Sequence, residues 1–351
     1  MQTRLSEVGN GNTARARLRV AAYRAQRASP ESLSSRLSIN RCRIEHPLDE
    51  PSEYFNRRAD QAMSDQKKPS AKRFQFTGLS DRGRVRAKNE DSIEIDADHK
   101  LIVLADGMGG YQAGEVASRL AVKSVRHYVN QNIGDIKPQC KDPKTGLTAY
   151  SRLLSEAIHS ANQRILKTAT TRAEYKGMGT TIVSAIFFGN SLSIAHVGDS
   201  RAYRIREKRL ERLTLDHSLH QELISRGVFT PEETAKLGNR NVVTRALGMD
   251  RDVKIDVVED VVKPGDVYML SSDGLHDLVG DEVIGRILTQ WEASLNRAAQ
   301  ELIKAANAKG GRDNISVILA RARDTQVQSR STEDNWFKRI FRHFPSLNSA
   351  R

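Results

Sequence analysis

Apolar residues follow two repeating patterns through the middle of the chain. The run Leu101-Ile-Val-Leu-Ala105 is continuously apolar, as in a buried strand, and Phe74 and Phe76 alternate with polar residues, as in a half-buried one. Residues 113–131 and 147–168 instead carry apolar side chains at helical spacing. These patterns predict a folded domain that contains both strands and helices.

The remaining predicted elements come in blocks. Further strands are predicted at 180–188, 191–197, 200–206, 253–259, 266–272 and 314–321, and further helices at 217–227, 231–237, 281–290 and 295–308. Strands and helices that are grouped, rather than strictly alternating, indicate an α+β fold built from layers. Apolar residues make up 38% of the 351-residue chain, which is enough for a substantial core.

The pattern divides the chain into three parts. We predict a basic, disordered extension at 1–72, a folded domain at 73–323 and a basic tail at 324–351. Residues 1–62 contain eleven Arg and no Lys. This extension is interpreted as a disordered arm, as an Arg-rich targeting segment, or as the result of a misplaced start, the natural one being Met63. We favour disorder or a misplaced start over targeting.

The tail contains one segment with a distinct pattern. On a helix, residues 336–344 would place aromatic and aliphatic side chains on one side and basic side chains largely on the other. Such a segment can rest on an anionic membrane or dock in a partner groove. The equally weighted alternative is a short helix that covers an apolar patch on its own domain.

Charge and cysteine content narrow the class of protein. The net charge is +13 and the mean hydropathy is −0.55. The positive excess is spread along the chain without a helix-turn-helix, zinc-finger or RNA-binding signature, so we predict no nucleic-acid partner. A basic surface would instead favour encounter with anionic phosphopeptides. Two cysteines in dissimilar surroundings, Cys42 and Cys140, fit a cytoplasmic protein, and no apolar run is long enough to span a bilayer.

Five short acidic segments carry the chemical signal of the chain. They are Arg86-Ala-Lys-Asn-Glu-Asp91, Asp106-Gly-Met-Gly-Gly110, Gly198-Asp-Ser-Arg201, Ser272-Asp-Gly274 and Gly311-Arg-Asp-Asn314. Glycine lets the backbone approach an ion closely, and carboxylates are the hard oxygen donors that Mg²⁺ and Mn²⁺ prefer. Several aspartates at strand ends beside glycine indicate a shared counter-charge, which we predict to be a pair of divalent metals.

Further motifs accompany these segments in a fixed order. They include Ser80-Asp-Arg-Gly-Arg-Val-Arg86, Gly177-Met-Gly-Thr-Thr181, Leu213-Thr-Leu-Asp-His-Ser218 and Asn241-Val-Val-Thr-Arg-Ala-Leu-Gly248. From Phe74 to Arg321 the chain thereby resembles the metal-dependent serine/threonine protein phosphatase family of type 2C, in particular its bacterial branch. The resemblance implies a four-layer α-β-β-α sandwich, with two central, mainly antiparallel sheets flanked by helices.

The resemblance also implies a metal site made of carboxylates and one backbone carbonyl. Asp106 would bridge both metals, and the carbonyl of Gly107 would complete the coordination of one of them. Asp273 and Asp313 would hold the other metal, and Glu90 and Asp91 would act at the same cluster directly or through water. Asp199 would belong to a third, weaker metal site. The same resemblance makes Arg86 the residue that grips the substrate phosphate and, with Asp106, a catalytic residue. A guanidinium offers a planar, permanently charged fork to two phosphate oxygens.

The implied activity is hydrolysis of phosphoserine and phosphothreonine in proteins, opposing a Ser/Thr kinase. Two Mn²⁺ or Mg²⁺ ions roughly 3.5–4 Å apart can bind one water between them and lower its pKa, so no side-chain nucleophile is required. The expected protein is a monomer in the cytoplasm.

One position departs from many eukaryotic members of the family. They carry a histidine, which serves as general acid, where this chain has Met108, as bacterial relatives commonly do. His276 is a tempting substitute, although we favour a packing role for it. His217 and Arg245, in the region that corresponds to a variable flap, are candidate substrate contacts. Two other hypotheses stay open: a non-catalytic phosphoprotein-binding module, and a nucleic-acid-binding protein suggested by charge alone.

Overall fold

The computed structural model describes residues 73–109, 113–136, 141–143, 145–234 and 242–323. Its strands are β1 (Phe74–Asp81), β2 (Asp91–Asp96), β3 (Leu101–Met108), β4 (Gly179–Thr180), β5 (Ile182–Phe188), β6 (Ser191–Val197), β7 (Arg201–Arg206), β8 (Arg209–Arg212), β9 (Asp256–Val261), β10 (Val267–Ser271) and β11 (Ile315–Ala322). Its helices are α1 (Ala113–Asn132), α2 (Ala149–Thr171), α3 (Leu219–Ser225), α4 (Pro231–Thr234), α5 (Asp273–His276), α6 (Asp281–Gln290) and α7 (Leu295–Ala308). The predicted extension at 1–72, the alternative start at Met63 and the tail with its 336–344 segment lie outside the described residues.

The strands form two sheets. The first has the order β1-β11-β10-β7-β8, and the second has the order β2-β3-β5-β6-β9, with β4 also paired to β3. Neighbouring strands in both sheets run antiparallel. Strand ends from distant parts of the chain therefore meet at the same edge of a sheet.

Strand β3 shows how a continuous apolar run builds the layers. Successive side chains of a strand point to opposite faces. Leu101 and Val103 belong to the core formed with α1 and α2, whereas Ile102 and Leu104 belong to the core between the two sheets. Both faces of β3 are covered, which explains why its sequence does not alternate.

Strand β11 plays the same part in the first sheet. Val317 and Leu319 pack in a core with α6 and α7, and Ile318 and Ala320 face the second sheet. The order across the molecule is therefore helices, sheet, sheet, helices. The four-layer α-β-β-α sandwich implied by the sequence is confirmed.

The long helices lie where their spacing predicted them. Side-chain caps fix two of their starts: Thr148 accepts a hydrogen bond from Ser151 N before α2, and Ser294 accepts one from Arg297 N before α7. Among the described residues, no helix combines the length and the apolar character that crossing a bilayer requires.

Among the strands and α-helices given above, three short ones were not predicted, namely β2, β8 and α5. Strand β2 contains only two apolar residues, Ile93 and Ile95, and gains its order by pairing along its whole length with β3. Helix α5 is a single turn directly after β10. Such short elements depend on tertiary neighbours rather than on a long local pattern.

Candidate metal and phosphate site

Strand β2 begins and strand β3 ends at the same edge of the second sheet. In their antiparallel pairing Asp91 lies directly opposite Asp106, so the two side chains are cross-strand neighbours. Each carboxyl group influences the pKa of the other. The first two acidic segments of the sequence are thereby brought together.

The first sheet contributes the next two carboxylates. Asp273 is the first residue of α5, two residues after β10, and Asp313 lies two residues before β11. The α5 turn packs closely on the start of β11, since a Cβ at Gly274 would lie 2.0 Å from Asn314 O. Ser272, between β10 and α5, donates a hydrogen bond from Oγ to Asp91 Oδ2 at 2.8 Å and so connects the two sheets.

Burial and mutual repulsion raise the pKa of these carboxyl groups. Burial, followed by the charges of Asp91 and Asp273, raises the pKa of Asp106 well above its ordinary value. Burial, followed by the charges of Asp199 and Asp313, does the same to the pKa of Asp273. Burial also raises the pKa of Asp91 to about 6. The arrangement concentrates negative charge and calls for cations.

Asp199 joins this group from the connection between β6 and β7. It is 7% exposed, and burial, followed by the charge of Asp216, raises its pKa to about 6. The preceding Gly198 has φ +108°, and a Cβ there would lie 2.6 Å from Thr181 Cβ. Glycine at 198 is thus required by both the backbone conformation and the close packing of Thr181.

Glu90 reaches the cluster from the loop before β2. Its carbonyl accepts hydrogen bonds from Gly107 N at 3.2 Å and from Ser118 Oγ at 2.6 Å. Its side chain lies against the first turn of α1, where a Cβ at Gly114 would be 2.8 Å from Oε2. Burial is the main cause of the raised pKa of Glu90.

Arg86 lies on the opposite rim of the cluster. Its Nη2 donates to Asp313 Oδ2 at 2.6 Å, and its side chain is 53% exposed. This ion pair joins residues that are far apart in sequence. The exposed remainder of the guanidinium leaves donors for an incoming anion.

The donor set suits hard divalent cations. Asp91 Oδ1 and Asp273 Oδ1 are buried and, within the described part of the chain, have no hydrogen-bond partner. Oxygen-rich groups of this kind match Mg²⁺ and Mn²⁺. In the present arrangement, no three His, Cys, Asp or Glu side chains of the described residues lie close enough to hold one ion.

Three residues that hold the site together were not assigned a site role from the sequence. Asn314 Oδ1 accepts from Glu90 N at 2.8 Å, and its Nδ2 donates to the carbonyls of Arg82 and Lys88 at 3.0 and 2.8 Å. Ser272 and Ser118 make the contacts given above. The segments Gly311-Arg-Asp-Asn314 and Ser272-Asp-Gly274 were the available signals for Asn314 and Ser272. Ser118 had no such signal, because its partner Glu90 is distant in sequence.

Thr180 and Thr181 fix the backbone of Asp106. Thr180 Oγ1 donates to Asp106 O at 2.7 Å, and Asp106 N donates to Thr181 Oγ1 at 3.1 Å. Both threonines are buried.

The two histidines singled out from the sequence lie inside the protein. His276 is 7% exposed, and its Nδ1 and the Ser271 hydroxyl are hydrogen-bonded at 3.1 Å, as expected for a packing role. His217 is 3% exposed, stacks on His196 with ring centroids 4.7 Å apart, and lies 3.2 Å from Asp256.

Arg245 is engaged with the same cluster. Its Nη1 lies 3.1 Å from His217 Nε2 and donates to Asp256 Oδ1 at 3.1 Å. The structure therefore gives His217 and Arg245 internal partners and does not support their interpretation as substrate contacts.

Comparison with known proteins identifies the fold. Residues 82–319 match the family model described as Protein phosphatase 2C. The chain is 37% identical over 247 residues to the serine/threonine protein phosphatase PstP of Mycobacterium tuberculosis (strain CDC 1551 / Oshkosh), with 70% of this chain and 45% of PstP covered. The chain thus spans less than half the length of that relative.

Two further comparisons cover nearly the whole matched protein. A protein of Streptococcus pyogenes serotype M6, described as a putative protein phosphatase 2C-type, is 36% identical over 256 residues, with 71% of this chain and 98% of that protein covered. The crystal structure of the PstP catalytic domain in complex with two manganese ions matches at 35% identity and a TM-score of 0.61, covering 72% of this chain and 99% of that one. Together with the family-model match, these similarities show that the chain belongs to the protein phosphatase 2C family.

Proposed function

We propose that this chain is an active metal-dependent phosphatase that hydrolyses phosphoserine and phosphothreonine in proteins. The observation that carries the proposal is the convergence of buried carboxylates at one edge of both sheets. Burial, followed by repulsion within this cluster, raises the pKa of Asp106 and Asp273. Such a group is stable in its ionised form only beside cations.

The residues that would hold two divalent ions come from both sheets. They are Asp106, the carbonyl of Gly107, Asp273, Asp313, Glu90 and Asp91, with Asp199 beside Asp273 for a third, weaker ion. When bound, Mn²⁺ or Mg²⁺ supplies Lewis acidity, which lowers the pKa of water and offsets negative charge on the phosphate. The similar catalytic domain of PstP, whose crystal structure is a complex with two manganese ions, supports this assignment.

Arg86 would orient the phosphate group of the substrate. Its guanidinium is about half exposed and already lies beside one carboxylate of the cluster, Asp313. A bidentate hydrogen bond to two phosphate oxygens would hold the phosphorus over the cluster and aim it for in-line attack by water. Lysine could not reproduce the planar fork, so Arg86 is the specific requirement of this position.

The leaving alkoxide needs a proton. Met108 cannot supply it, because a thioether carries no proton to donate. His276 is a poor donor because it is buried and because burial lowers its pKa well below the ordinary value. A neutral, enclosed imidazole of this kind supports a structural role for His276. The residues of this chain therefore act mainly by positioning and by electrostatics.

The test is Mn²⁺-dependent hydrolysis of para-nitrophenyl phosphate and of a phosphothreonine peptide. We expect Asp106→Asn to reduce turnover to background, because the bridging carboxylate loses its charge. The matched control is Asp98→Asn, which makes the same chemical change at an exposed turn and should retain wild-type turnover. A wild-type chain that binds Mn²⁺ and phosphopeptide without hydrolysis would instead support the phosphoprotein-binding module.

The proposal extends to organisation and context. We assign phosphatase activity to residues 73–323, supported by the family match at 82–319. We further propose a monomer in the cytoplasm that opposes a Ser/Thr kinase. The bacterial relatives named as serine/threonine phosphatases support the kinase-opposing part.

A further inference from the structure

The loop between β1 and β2 is the most basic short segment at the rim of the site. Residues 82–88 read Arg-Gly-Arg-Val-Arg-Ala-Lys, with four cations and no acidic residue. All four basic side chains are exposed, as is Arg312 on the adjoining loop before β11. The rim therefore presents five positive charges next to the proposed phosphate position.

The backbone of this loop is fixed against the neighbouring loop. Arg84 N donates to Gly311 O at 2.7 Å, and Asn314 Nδ2 bonds the carbonyls of Arg82 and Lys88. A Cβ at Gly83 would lie 2.2 Å from Asp313 O, so the two loops are in close contact. The basic side chains are thus held on a rigid base.

Two of the five cations already have partners. Arg86 pairs with Asp313, and Arg82 Nη1 donates to Ala87 O at 3.2 Å, which closes the loop. Within the described residues, Arg84, Lys88 and Arg312 form no ion pair with a carboxylate. We call these three side chains the basic rim.

The acidic groups nearest the basic rim are occupied. Asp81 Oδ1 accepts hydrogen bonds from Gly83 N at 2.8 Å and from Asn307 Nδ2 at 3.1 Å. Glu90 belongs to the proposed metal cluster. The positive charge of the rim is therefore available to a ligand from solution.

We propose that the basic rim selects phosphoprotein segments that carry acidic residues close to the phosphorylated Ser or Thr. The inference rests on the proposed function, because it places the scissile phosphate at Arg86. Arg84 and Lys88 each lie two residues from Arg86, so their charges act within about three residues of the phosphorylated position. Asp, Glu or a second phosphate in that interval supplies the complementary charge.

The experiment uses the full chain with Mn²⁺ and two phosphothreonine peptides. The peptides differ only in that three Asp residues flanking the phosphothreonine in one are Asn in the other. We expect wild-type kcat/KM to be roughly tenfold higher for the acidic peptide, from three exposed ion pairs, and this preference to shrink as salt is raised. Equal kcat/KM for the two peptides would overturn the inference.

A charge-matched pair of variants locates the preference. The triple variant Arg84→Gln, Lys88→Gln, Arg312→Gln should reduce the acidic-to-neutral ratio to about one or two. The control variant Lys208→Gln, Arg209→Gln, Arg286→Gln removes as many exposed charges near the turn between β7 and β8, at the far end of the first sheet, and should keep the wild-type ratio. A preference that persists in the rim variant contradicts the proposal.

The remaining outcomes separate this inference from the proposed function. Failure of the wild-type chain to hydrolyse either peptide would reject the phosphatase activity itself, whereas hydrolysis of both without preference would reject only the basic rim. Stronger inhibition by single-stranded DNA than by the unphosphorylated acidic peptide would also overturn the proposal, since it would indicate a polynucleotide surface.

Discussion

His217 illustrates how one buried side chain can couple the site to pH. Gly198 N donates a hydrogen bond to its Nδ1 at 3.1 Å, so Nδ1 accepts and carries no proton in this arrangement. Burial, followed by the charges of His196 and Arg245, lowers the pKa of His217 to about 4. This hydrogen bond holds the turn that carries Asp199, which gives His217 a structural role beside the site.

The lowered pKa predicts a loss of stability in acid. Between the ordinary pKa of 6.5 and the folded value of about 4, the unfolded chain binds a proton that folded His217 does not. The contribution of His217 is therefore complete above pH 6.5 and declines as the pH falls towards 4. The free energy of unfolding of wild type, minus that of His217→Gln, should therefore fall by up to about 3 kcal/mol as the pH is lowered from 6.5 to 4.

Urea unfolding of the two proteins at pH 7.5, 6, 5 and 4 measures this difference. Taking the difference removes the contributions of titrating groups that do not contact His217, because both proteins share them. If this free-energy difference stayed constant over the whole pH range, or grew in acid, His217 would not be a buried, neutral imidazole with a lowered pKa.

At the level of elements, β3 and α1 pack so closely at their junction that there is no room for a side chain at two glycines. A Cβ added at Gly114, in the first turn of α1, would lie 2.8 Å from Glu90 Oε2 and 2.9 Å from Gly107 C. A Cβ added at Gly107 would lie 2.2 Å from Gly114 O and 2.6 Å from Glu90 O. Glycine at both positions lets the helix approach the strand end that carries Asp106.

We predict that Gly114→Ala destabilises the protein and disturbs the metal site. The added methyl must displace Glu90 or push α1 away from β3, at a cost of about 1–3 kcal/mol. Denaturant unfolding and Mn²⁺ titration should both register the change. Gly134→Ala is the matched control, since nothing lies within 4 Å of its ideal Cβ, and its stability should remain within about 1 kcal/mol of wild type. Equal behaviour of the two variants would contradict the packing argument.

The long elements were predictable from sequence because their patterns are local. Strand β3 and helices α1 and α2 follow from apolar runs and helical spacing alone. Strand β2 was missed, because its order comes from β3 rather than from its own two isoleucines. In the same way, the chain order of motifs indicated which carboxylates to consider, but not the Arg86–Asp313 ion pair across 227 residues. Contacts of that kind arise from topology and have no local signal.

On the scale of the whole molecule, the site lies where the two sheets meet. The second sheet supplies Asp91 and Asp106, the first supplies Asp273 and Asp313, and Asp199 lies on the connection from one sheet to the other. Cations bound by this group would join both halves of the sandwich. Metal binding should therefore stabilise the entire fold and not only the loops.

This linkage predicts how Mn²⁺ changes thermal stability. At 100 times its Kd, a ligand specific for the folded state adds about 2.7 kcal/mol. For a domain of this size, that free energy raises the Tm by roughly 5–10 °C. Differential scanning calorimetry with Mn²⁺ and with a chelator at pH 7.5 measures the shift.

The same shift should depend on pH and on Asp106. Burial raises the pKa of Asp91 and of Asp199 to about 6 from an ordinary value of 3.8. Their ionisation therefore opposes folding fully above pH 6, and this penalty is relieved as the pH falls from 6 towards 3.8. Protons also compete with the metal below pH 6. We therefore expect Mn²⁺ to raise the Tm by a large amount at pH 7.5 and by a small amount at pH 5.

Asp106→Asn should raise the Tm of the metal-free protein and abolish most of the increase in Tm caused by Mn²⁺, whereas Asp98→Asn should do neither. A full Mn²⁺ shift in Asp106→Asn would show that the ions bind somewhere other than this cluster.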